Sequence, residues 1–256
     1  MMKFCKLILW LCLIFVASCS GNTNELEERI KIQAEKNDKE MSASEIKRTA
    51  NYLRAWGKED FYQKDIEEFR KTDASYFPDK NEILFVGSSS IRFWNSLQED
   101  MSPFKVLNRG FGGAHIKHVN YHFNDIIKPY QPKAIVIFCG TNDLAALKTV
   151  DEVYDDFMEF YSLSRTALPD TKIFVIGVKP SVARLYLREE ELAFNNKIKA
   201  FSLQKNNLFF IDVWQDMLNS EGNPKPELFI KDGLHINSEG YALWTRLVKP
   251  VLAKNL

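Results

Sequence analysis

Five short apolar runs recur along the later part of the chain, at positions 83–86, 104–107, 134–138, 173–178 and 208–211. None of them alternates between apolar and polar residues, which is typical of strands that are buried on both faces of a parallel sheet. Segments with helical periodicity separate the runs. This alternation of strands and helices predicts an α/β fold built on a doubly wound parallel sheet.

Three amphipathic helices are predicted between and after these runs. Each has apolar residues at the three- and four-residue spacing of one helix face, and the stripes are Val153, Phe157, Phe160 and Tyr161, then Phe194, Ile198 and Phe201, then Tyr241, Trp244 and Val248. Thr149 and Glu152 precede the first helix with the spacing of a capping box. Asn237, a residue type favoured at N-caps, precedes the last. These signals place the α/β domain at residues 79–256.

The region before residue 79 has a different character. Residues 19–43 are mostly polar and charged, and they predict a tether that is at most partly helical. Tyr62, Ile66 and Phe69 then recur at i, i+4 and i+7, which marks one apolar helix face. This spacing predicts a helical extension over residues 44–78, ahead of the α/β domain.

The first residues of the chain predict an export signal. Two lysines precede an apolar run at positions 7–16, which is too short to span a bilayer, and the string Val-Ala-Ser-Cys ends at Cys19. This order predicts a signal peptide over residues 1–18. Because the string resembles the bacterial lipobox, we expect Cys19 to be lipidated and the protein to be anchored in the bacterial cell envelope, on its periplasmic or outer-membrane face. The alternative is a plain signal peptide that is cleaved near position 18 or 20.

Composition and charge narrow the possible functions. The chain is 45% hydrophobic and 27% charged, which is ordinary for a globular protein, and its formal net charge is zero. Because no basic field is available to hold a phosphate backbone, nucleic-acid binding is disfavoured. Cys139 is the only cysteine after position 19, so no disulfide framework is expected within the chain, and we interpret it as a small buried hydrophobic residue.

Four short segments with chemically useful side chains follow the predicted strands. They are Gly87-Ser88-Ser89-Ser90, the stretch Asn108-Arg109-Gly110-Phe111-Gly112-Gly113, then Gly140-Thr141-Asn142-Asp143, and finally Asp232-Gly233-Leu234-His235. The carboxyl ends of parallel strands form the crevice in which ligands bind in such folds. A glycine before a serine permits a tight strand-to-helix turn, an asparagine can offer an amide N–H to an anion, and an aspartate three residues before a histidine can fold back onto its ring. Each segment alone is typical of ordinary turns.

Together and in this order, the four segments resemble the blocks of the SGNH hydrolase superfamily, also called GDSL-like lipases or acylhydrolases. The resemblance covers about residues 80–254. The first block matches at Gly87 and Ser89, the second at Gly113, the third at Gly140, Asn142 and Asp143, and the last at Asp232 and His235. Ser88, Ser90 and Ala114 depart from the residues that are common in the family. None of the three is a triad position there.

The resemblance implies a flavodoxin-like, three-layer α/β/α sandwich with a five-stranded parallel sheet. It implies a serine esterase in which Ser89 is the nucleophile, His235 its general base and Asp232 the residue that orients the base. The oxyanion hole would comprise the backbone N–H groups of Ser89 and Gly113 and the amide of Asn142. No metal or organic cofactor is implied. In the strand order 2-1-3-4-5, Ser89 and Asn142 would flank the switch point between strands one and three.

The expected substrate is a small-molecule or glycan ester, with short acyl groups such as acetyl on a carbohydrate. Trp94, Phe111 and Tyr186 are candidates for stacking on sugar rings, and Arg109, like Arg184, is a candidate for binding an acidic sugar. The alternatives are a lysophospholipase- or thioesterase-like lipid acylhydrolase and a non-catalytic, glycan-binding surface lipoprotein.

Two other readings of the site residues remain open. His115, His118 and His122 have a spacing that could bind zinc on a helix, although His118 and His122 can also be solvent-facing polar residues. A conventional α/β-hydrolase would also use serine, acid and histidine in this order. Its serine, however, lies in a Gly-x-Ser-x-Gly elbow, and here Ile91 takes the place of the second glycine.

Overall fold

The computed structural model describes residues 21–256 of the chain. The predicted signal peptide and the predicted lipidation site at Cys19 lie outside the described residues. The described residues fall into two compact units, one that ends at Trp56 and one that spans Gly57–Leu256. Between residues 21 and 256, no helix combines the length and the apolar character that crossing a membrane requires.

The first unit contains two helices, α1 (Gly21–Lys36) and α2 (Ala43–Trp56). The two helices pack on each other, and Arg54 of α2 forms an ion pair with Glu27 of α1 at 3.8 Å. Helix α1 occupies most of the segment that the sequence predicts to be a tether, while α2 begins one residue before the predicted helical extension and otherwise lies within it.

The second unit is built on five parallel strands. They are β1 (Ile83–Gly87), β2 (Val106–Gly110), β3 (Ala134–Phe138), β4 (Lys172–Ile176) and β5 (Leu208–Ile211), in the order β2-β1-β3-β4-β5. All neighbours are parallel, and Gly87 at the end of β1 lies opposite both Gly110 and Phe138. The predicted fold class, a flavodoxin-like α/β sandwich with this strand order, is confirmed.

Helices cover both faces of the sheet. In chain order they are α3 (Gln63–Ser75), α4 (Ser89–Arg92), α5 (Leu97–Asp100), α6 (Ile116–Tyr121), α7 (Phe123–Ile126), α8 (Thr141–Ala145), α9 (Val150–Ala167), α10 (Arg188–Ser202) and α11 (Ser238–Asn255). Short 3₁₀ segments lie at Glu59–Tyr62, Lys128–Tyr130, Val182–Leu187, Gln215–Met217 and Pro226–Leu228. A core of buried residues joins one face of the sheet to α11, with Trp94 and Trp244 among its largest members. The apolar helix faces that the sequence predicts contribute buried side chains to the packing between these layers.

The predicted helix caps form as expected. The Thr149 hydroxyl accepts a hydrogen bond from the N–H of Glu152 at 3.2 Å, and the Thr149 N–H donates to the Glu152 carboxylate at 2.6 Å. Asn237 caps α11 through bonds from the N–H groups of Glu239 and Gly240. The capping-box prediction for α9 and the N-cap prediction for α11 are therefore confirmed.

Some boundaries and burial patterns differ from those that the sequence predicts. Strand β2 begins two residues later and runs on through Asn108, Arg109 and Gly110, which the sequence assigns to a loop. Both edge strands, β2 and β5, have half-buried residues, because each has a neighbour on one side only. The second compact unit begins at Gly57 and not after residue 78, because α3 is tied to β2 by an ion pair between Asp73 and Arg109.

Candidate active site

A tight turn after β1 presents Ser89. Gly87 ends β1 at φ +129°, where a Cβ atom would collide with the carbonyl oxygen of Phe138, so only glycine fits. The Ser88 N–H then donates to the same carbonyl oxygen at 3.0 Å. Helix α4 begins at Ser89, so the Ser89 hydroxyl lies at the carboxyl end of β1, which is flanked by β2 and β3.

Burial separates the three consecutive serines. Ser88 and Ser90 are 1% and 4% exposed, whereas Ser89 is half-buried. The hydroxyl of Ser89 is the one that meets an imidazole. Ser89 is also the serine chosen from the sequence by its position two residues after Gly87, and its role as nucleophile stays a prediction.

His235 and Asp232 meet Ser89 from a turn ahead of α11. Ser89 Oγ lies 3.0 Å from His235 Nε2, and His235 Nδ1 lies 2.6 Å from Asp232 Oδ2. Because a carboxylate only accepts hydrogen bonds, Nδ1 carries a hydrogen, and in the neutral ring Nε2 then has a lone pair toward the serine hydroxyl. The three side chains are thus connected from acid to imidazole to hydroxyl.

Backbone bonds hold this turn in place. Asp232 Oδ1 accepts from the N–H groups of Leu234 at 2.8 Å and His235 at 2.9 Å. Desolvation alone would raise the pKa of Asp232, but the bonds from the His235 ring and from these two N–H groups prevail and lower it below its ordinary value of 3.8. Asp232 therefore stays ionised beside the imidazole down to acidic pH.

The second and third segments of the site are joined to each other. Asn142 Nδ2 donates to the carbonyl oxygen of Ala114 at 3.1 Å, and the Cys139 thiol donates to the same oxygen at 3.2 Å. The N–H of Ile116 donates to the carboxylate of Asp143 at 3.2 and 3.3 Å. These bonds hold the loop of Gly113, which has φ +71°, against the start of α8.

Asp143 is fully buried in this arrangement. Burial raises its pKa from 3.8 to about 7, although the charge of Lys148 and the bond from Ile116 act in the opposite direction. Cys139 is buried too, and desolvation raises the pKa of its thiol well above the ordinary value. A buried thiol with a raised pKa is a poor nucleophile, so Ser89 has no competitor in Cys139.

The structure adds polar residues that sequence reasoning did not assign to the site. Lys179, 2% exposed, donates to the carbonyl oxygen of Leu234 at 2.6 Å and so supports the turn of His235. Burial lowers the pKa of Lys179 from 10.5 to about 8, while the charge of Glu191 opposes the shift. The sequence signal that could have revealed this residue is a lysine directly after the apolar run at 173–178. A charged residue at the carboxyl end of a parallel strand lies near the crevice in which ligands bind.

Three of the five candidate substrate contacts are wrong. Trp94 and Phe111 are 1% and 0% exposed and belong to the core, with Trp94 stacked on Tyr241 at 5.2 Å between ring centroids. Arg109 is 6% exposed and is bonded to Asp73 and to Tyr130 Oη, so its charge is already neutralised inside the protein. Tyr186 is 44% exposed and remains available.

The prediction that His118 and His122 face the solvent is also wrong. His118 and His122 are 0% and 1% exposed. His118 Nδ1 accepts a hydrogen bond from the His115 N–H at 2.9 Å, and His118 Nε2 lies 3.0 Å from the carbonyl oxygen of Lys58. Both ring nitrogens therefore have hydrogen-bond partners within the protein. Desolvation lowers the pKa of His118 from 6.5 to about 4. Within residues 21–256, no three His, Cys, Asp or Glu side chains are grouped so as to hold a metal ion.

Comparison with known proteins gives consistent matches. A model of the GDSL-like lipase/acylhydrolase family matches residues 86–243. The human platelet-activating factor acetylhydrolase IB subunit alpha2 is 29% identical over 176 residues, which are 66% of this chain and 74% of the relative. The solved structure of a GDSL-like lipase from Bacteroides thetaiotaomicron is 22% identical with a TM-score of 0.63, covering 75% of this chain and 98% of that one.

A more distant solved structure, a carbohydrate esterase family 3 protein from Talaromyces cellulolyticus, is 15% identical with a TM-score of 0.55. The match covers 68% of this chain and 97% of that one.

Proposed function

Since the chain belongs to the GDSL-like lipase/acylhydrolase family and is a hydrolase acting on ester bonds, we propose that Ser89, His235 and Asp232 are its catalytic residues. The observation that supports this proposal most directly is a hydrogen-bond network that runs from Asp232 Oδ2 through the His235 ring to Ser89 Oγ, with distances of 2.6 and 3.0 Å. These are hydrogen-bonding distances, as a nucleophile and its general base require.

The proposed reaction has two halves. Ser89 Oγ attacks the ester carbonyl while His235 Nε2 takes the hydroxyl proton, which His235 then donates to the leaving alcohol. Water attacks the acyl-serine in the second half, and His235 takes a proton from the water. His235 then donates this proton to Ser89 Oγ as the C–O bond breaks, so the carboxylic acid leaves and the Ser89 hydroxyl is regenerated. Asp232 stabilises the imidazolium that forms in each half, and its lowered pKa keeps it ionised for this role.

The oxyanion of each tetrahedral intermediate is assigned to three donors. They are the backbone N–H groups of Ser89 and Gly113 and the side-chain amide of Asn142. Ser89 begins a helix, and the first N–H groups of a helix have no partner within it. Asn142 is 5% exposed, so its amide acts where water is largely excluded and a hydrogen bond to an anion is strong.

The proposed substrate class is short acyl esters, above all acetyl groups on carbohydrate. The relative that is named an acetylhydrolase and the fold neighbour that is named a carbohydrate esterase support this choice. The exposed ring of Tyr186 lies on the same 3₁₀ segment as Ala183, whose N–H donates to the carbonyl oxygen of Gly233 at 3.1 Å. An exposed ring on a segment that is bonded to the turn of His235 offers a platform for a sugar.

A lipid ester is the second candidate, and exposed apolar side chains around the site favour it. The ring of Phe93 is 45% exposed and lies 5.2 Å from the His235 ring. Ile230 is 50% exposed, and its N–H donates to the carbonyl oxygen of His235 at 2.8 Å. These side chains offer an apolar surface to an alkyl chain of an acyl or leaving group.

The proposed location is the bacterial cell envelope, with attachment through lipid on Cys19. The support is the lysine-led apolar run and the lipobox-like string in the sequence. Metabolic labelling with a palmitate analogue tests this proposal. Labelling of the wild-type chain that is lost in Cys19→Ala supports it, and equal labelling of both chains contradicts it.

Hydrolysis of 4-nitrophenyl esters tests the activity and separates the two substrate candidates. We expect the wild-type protein to hydrolyse the acetate ester and Ser89→Ala to lose about 10⁴-fold or more of kcat without loss of the fold. A kcat/KM that falls steadily from the acetate to the octanoate ester supports the short-acyl proposal, whereas a maximum at eight carbons or more favours the lipid candidate. Acetate release from acetylated xylan then tests the carbohydrate leaving group.

A further inference from the structure

One arginine contacts the side chain that is assigned to the oxyanion hole. Arg184 Nη1 donates to Asn142 Oδ1 at 3.0 Å, to the carbonyl oxygen of Thr141 at 3.2 Å and to Thr141 Oγ1 at 3.3 Å. Thr141 Oγ1 donates in turn to the carboxylate of Glu191 at 2.6 Å, and Glu191 is 1% exposed. A single guanidinium nitrogen therefore binds three oxygen atoms at the start of α8.

We propose that Arg184 is a positioning residue that fixes and polarises the Asn142 amide for oxyanion stabilisation. The proposal rests on the proposed function, because it assigns a role to Arg184 only through Asn142. It replaces the possibility, open from the sequence alone, that Arg184 binds an acidic group of the substrate.

The hydrogen bonds permit one orientation of the amide. Asn142 Oδ1 faces the guanidinium, which only donates, and Asn142 Nδ2 faces the carbonyl oxygen of Ala114, which only accepts, at 3.1 Å. Rotating the amide by 180° would put two donors together at Arg184 and two acceptors together at Ala114. In the favoured orientation, one Nδ2 hydrogen is bonded to Ala114 and the other is left for a substrate oxygen.

The charge of Arg184 also strengthens the donor. A cationic N–H on Oδ1 draws electron density from the amide, so the Nδ2 hydrogens become more positive. Asn142 is 5% exposed and Arg184 is half-buried, so solvent screens this effect less than at an open surface. The gain appears as negative charge develops on the substrate oxygen, which makes it a transition-state effect.

The segment that carries Arg184 touches both halves of the site. Arg184 departs from helical backbone angles (φ −127°, ψ 32°) within the 3₁₀ segment Val182–Leu187. Its neighbour Ala183 donates its N–H to the carbonyl oxygen of Gly233 at 3.1 Å, in the turn that holds His235. One short segment thus fixes the spacing between the base and the oxyanion amide.

A double-mutant cycle with Asn142 tests the proposal, with 4-nitrophenyl acetate as the substrate. We expect Arg184→Gln to lower kcat by about 10- to 100-fold, less than the loss on the order of 10²–10³ for Asn142→Ala, with KM within about threefold of wild type. Arg184→Lys, which keeps the charge but not the planar fork, should give an intermediate kcat. In the Asn142→Ala background, Arg184→Gln should have less than about a twofold further effect.

Arg188→Gln is the matched control. Arg188 follows the same 3₁₀ segment and donates to the carbonyl oxygen of Gly222 at 2.8 Å, so its loss removes a similar bond elsewhere, and kcat should stay within about twofold of wild type. Thermal unfolding is measured for every variant. If Arg184→Gln does not fold, the cycle is run with Arg184→Lys.

Several results would overturn the proposal. One is an undiminished loss from Arg184→Gln in the Asn142→Ala background, which would mean that Arg184 does not act through Asn142. Another is an unchanged kcat for the acetate ester together with a raised KM for an ester with a carboxylate group, which would restore the substrate-binding role. If Asn142→Ala lowers kcat and Arg184→Gln leaves kcat unchanged, the role of Arg184 is refuted and the proposed function is not. If both Asn142→Ala and Ser89→Ala keep the wild-type kcat, the proposed function is refuted.

Discussion

Replacing Asp232 by asparagine tests how the acid controls the imidazole. In the wild-type protein, Asp232 Oδ1 accepts two backbone N–H groups and Oδ2 accepts the hydrogen on His235 Nδ1 at 2.6 Å. The asparagine oxygen can keep the backbone bonds, but its NH₂ group then faces Nδ1. Two donors conflict there, so the ring is expected to move its hydrogen to Nε2. In that tautomer Nε2 cannot accept the proton of Ser89.

The size of the effect follows from this change of tautomer. Loss of the correct tautomer costs about 10⁴-fold in kcat in the serine-protease triad, or about 5.5 kcal/mol in the activation barrier. The side chain of Asp232 is 43% exposed here, so water can accept the Nδ1 hydrogen in part of the population. We therefore expect Asp232→Asn to lower kcat by about 10³- to 10⁴-fold.

The assay is kcat and KM for 4-nitrophenyl acetate, with thermal unfolding to show that the variant keeps its fold. Asp212→Asn is the control, because Asp212 is also an exposed aspartate that accepts a backbone N–H, from Trp214 at 3.1 Å. We expect the control to retain activity within about twofold. A loss of less than about tenfold in Asp232→Asn would refute the orienting role of Asp232.

Three further predictions concern burial. Trp94→Ala should lower the free energy of unfolding by about 3–5 kcal/mol, because it leaves a cavity in the core. The control is Leu203→Ala, at a side chain that is 84% exposed, which should change the free energy of unfolding by less than about 0.5 kcal/mol. Urea unfolding measures both values, and equal effects of the two substitutions would contradict the prediction. Because its pKa falls from 6.5 in the unfolded chain to about 4 in the fold, His118 should stabilise the protein above pH 6.5 by about 3 kcal/mol relative to pH 4. The stability difference between wild type and His118→Asn should therefore shrink as the pH falls through this range, and a constant difference would refute it. Ellman's reagent should modify Cys139 only after unfolding, and mapped modification of the native protein would show that the thiol is accessible.

The sequence was sufficient for the parts of the fold that depend on local patterns. Strand β3 and strand β5 have the predicted bounds, and the capping box at Thr149 and Glu152 begins α9 as expected. The site segments follow strands whose order, 2-1-3-4-5, is implied by the family resemblance, so Ser89 and Asn142 could be placed at the same switch point before any distance was known.

Side-chain burial was harder to predict because it depends on contacts between distant segments. His118 looks like a polar surface residue in its own helix, yet it packs against Tyr62 at 5.0 Å between ring centroids and meets the carbonyl oxygen of Lys58, both about 60 positions earlier. Arg109 likewise lies beside glycines in the sequence, but its partner Asp73 comes from α3. Neither contact leaves a periodic signal that a single sequence would reveal.

The same reason explains why the polar support of the site was missed. Lys179, Arg184 and Glu191 are far from Asn142 and His235 along the chain, and their roles come from hydrogen bonds that only the folded crevice creates. The sequence located the proposed reacting groups by their residue types and spacing, whereas the groups that position them are defined by three-dimensional contacts.

Labelling with a fluorophosphonate, followed by peptide mapping, tests whether Ser89 is the nucleophile. Ser89 Oγ is 3.0 Å from His235 Nε2, whereas Ser88 and Ser90 are buried, so we expect one adduct, on Ser89, together with loss of esterase activity. Ser88→Ala and Ser90→Ala should still be labelled at Ser89. An adduct on Ser88 or Ser90, or a fully active protein with no adduct, would contradict the assignment of Ser89 and with it the proposed mechanism.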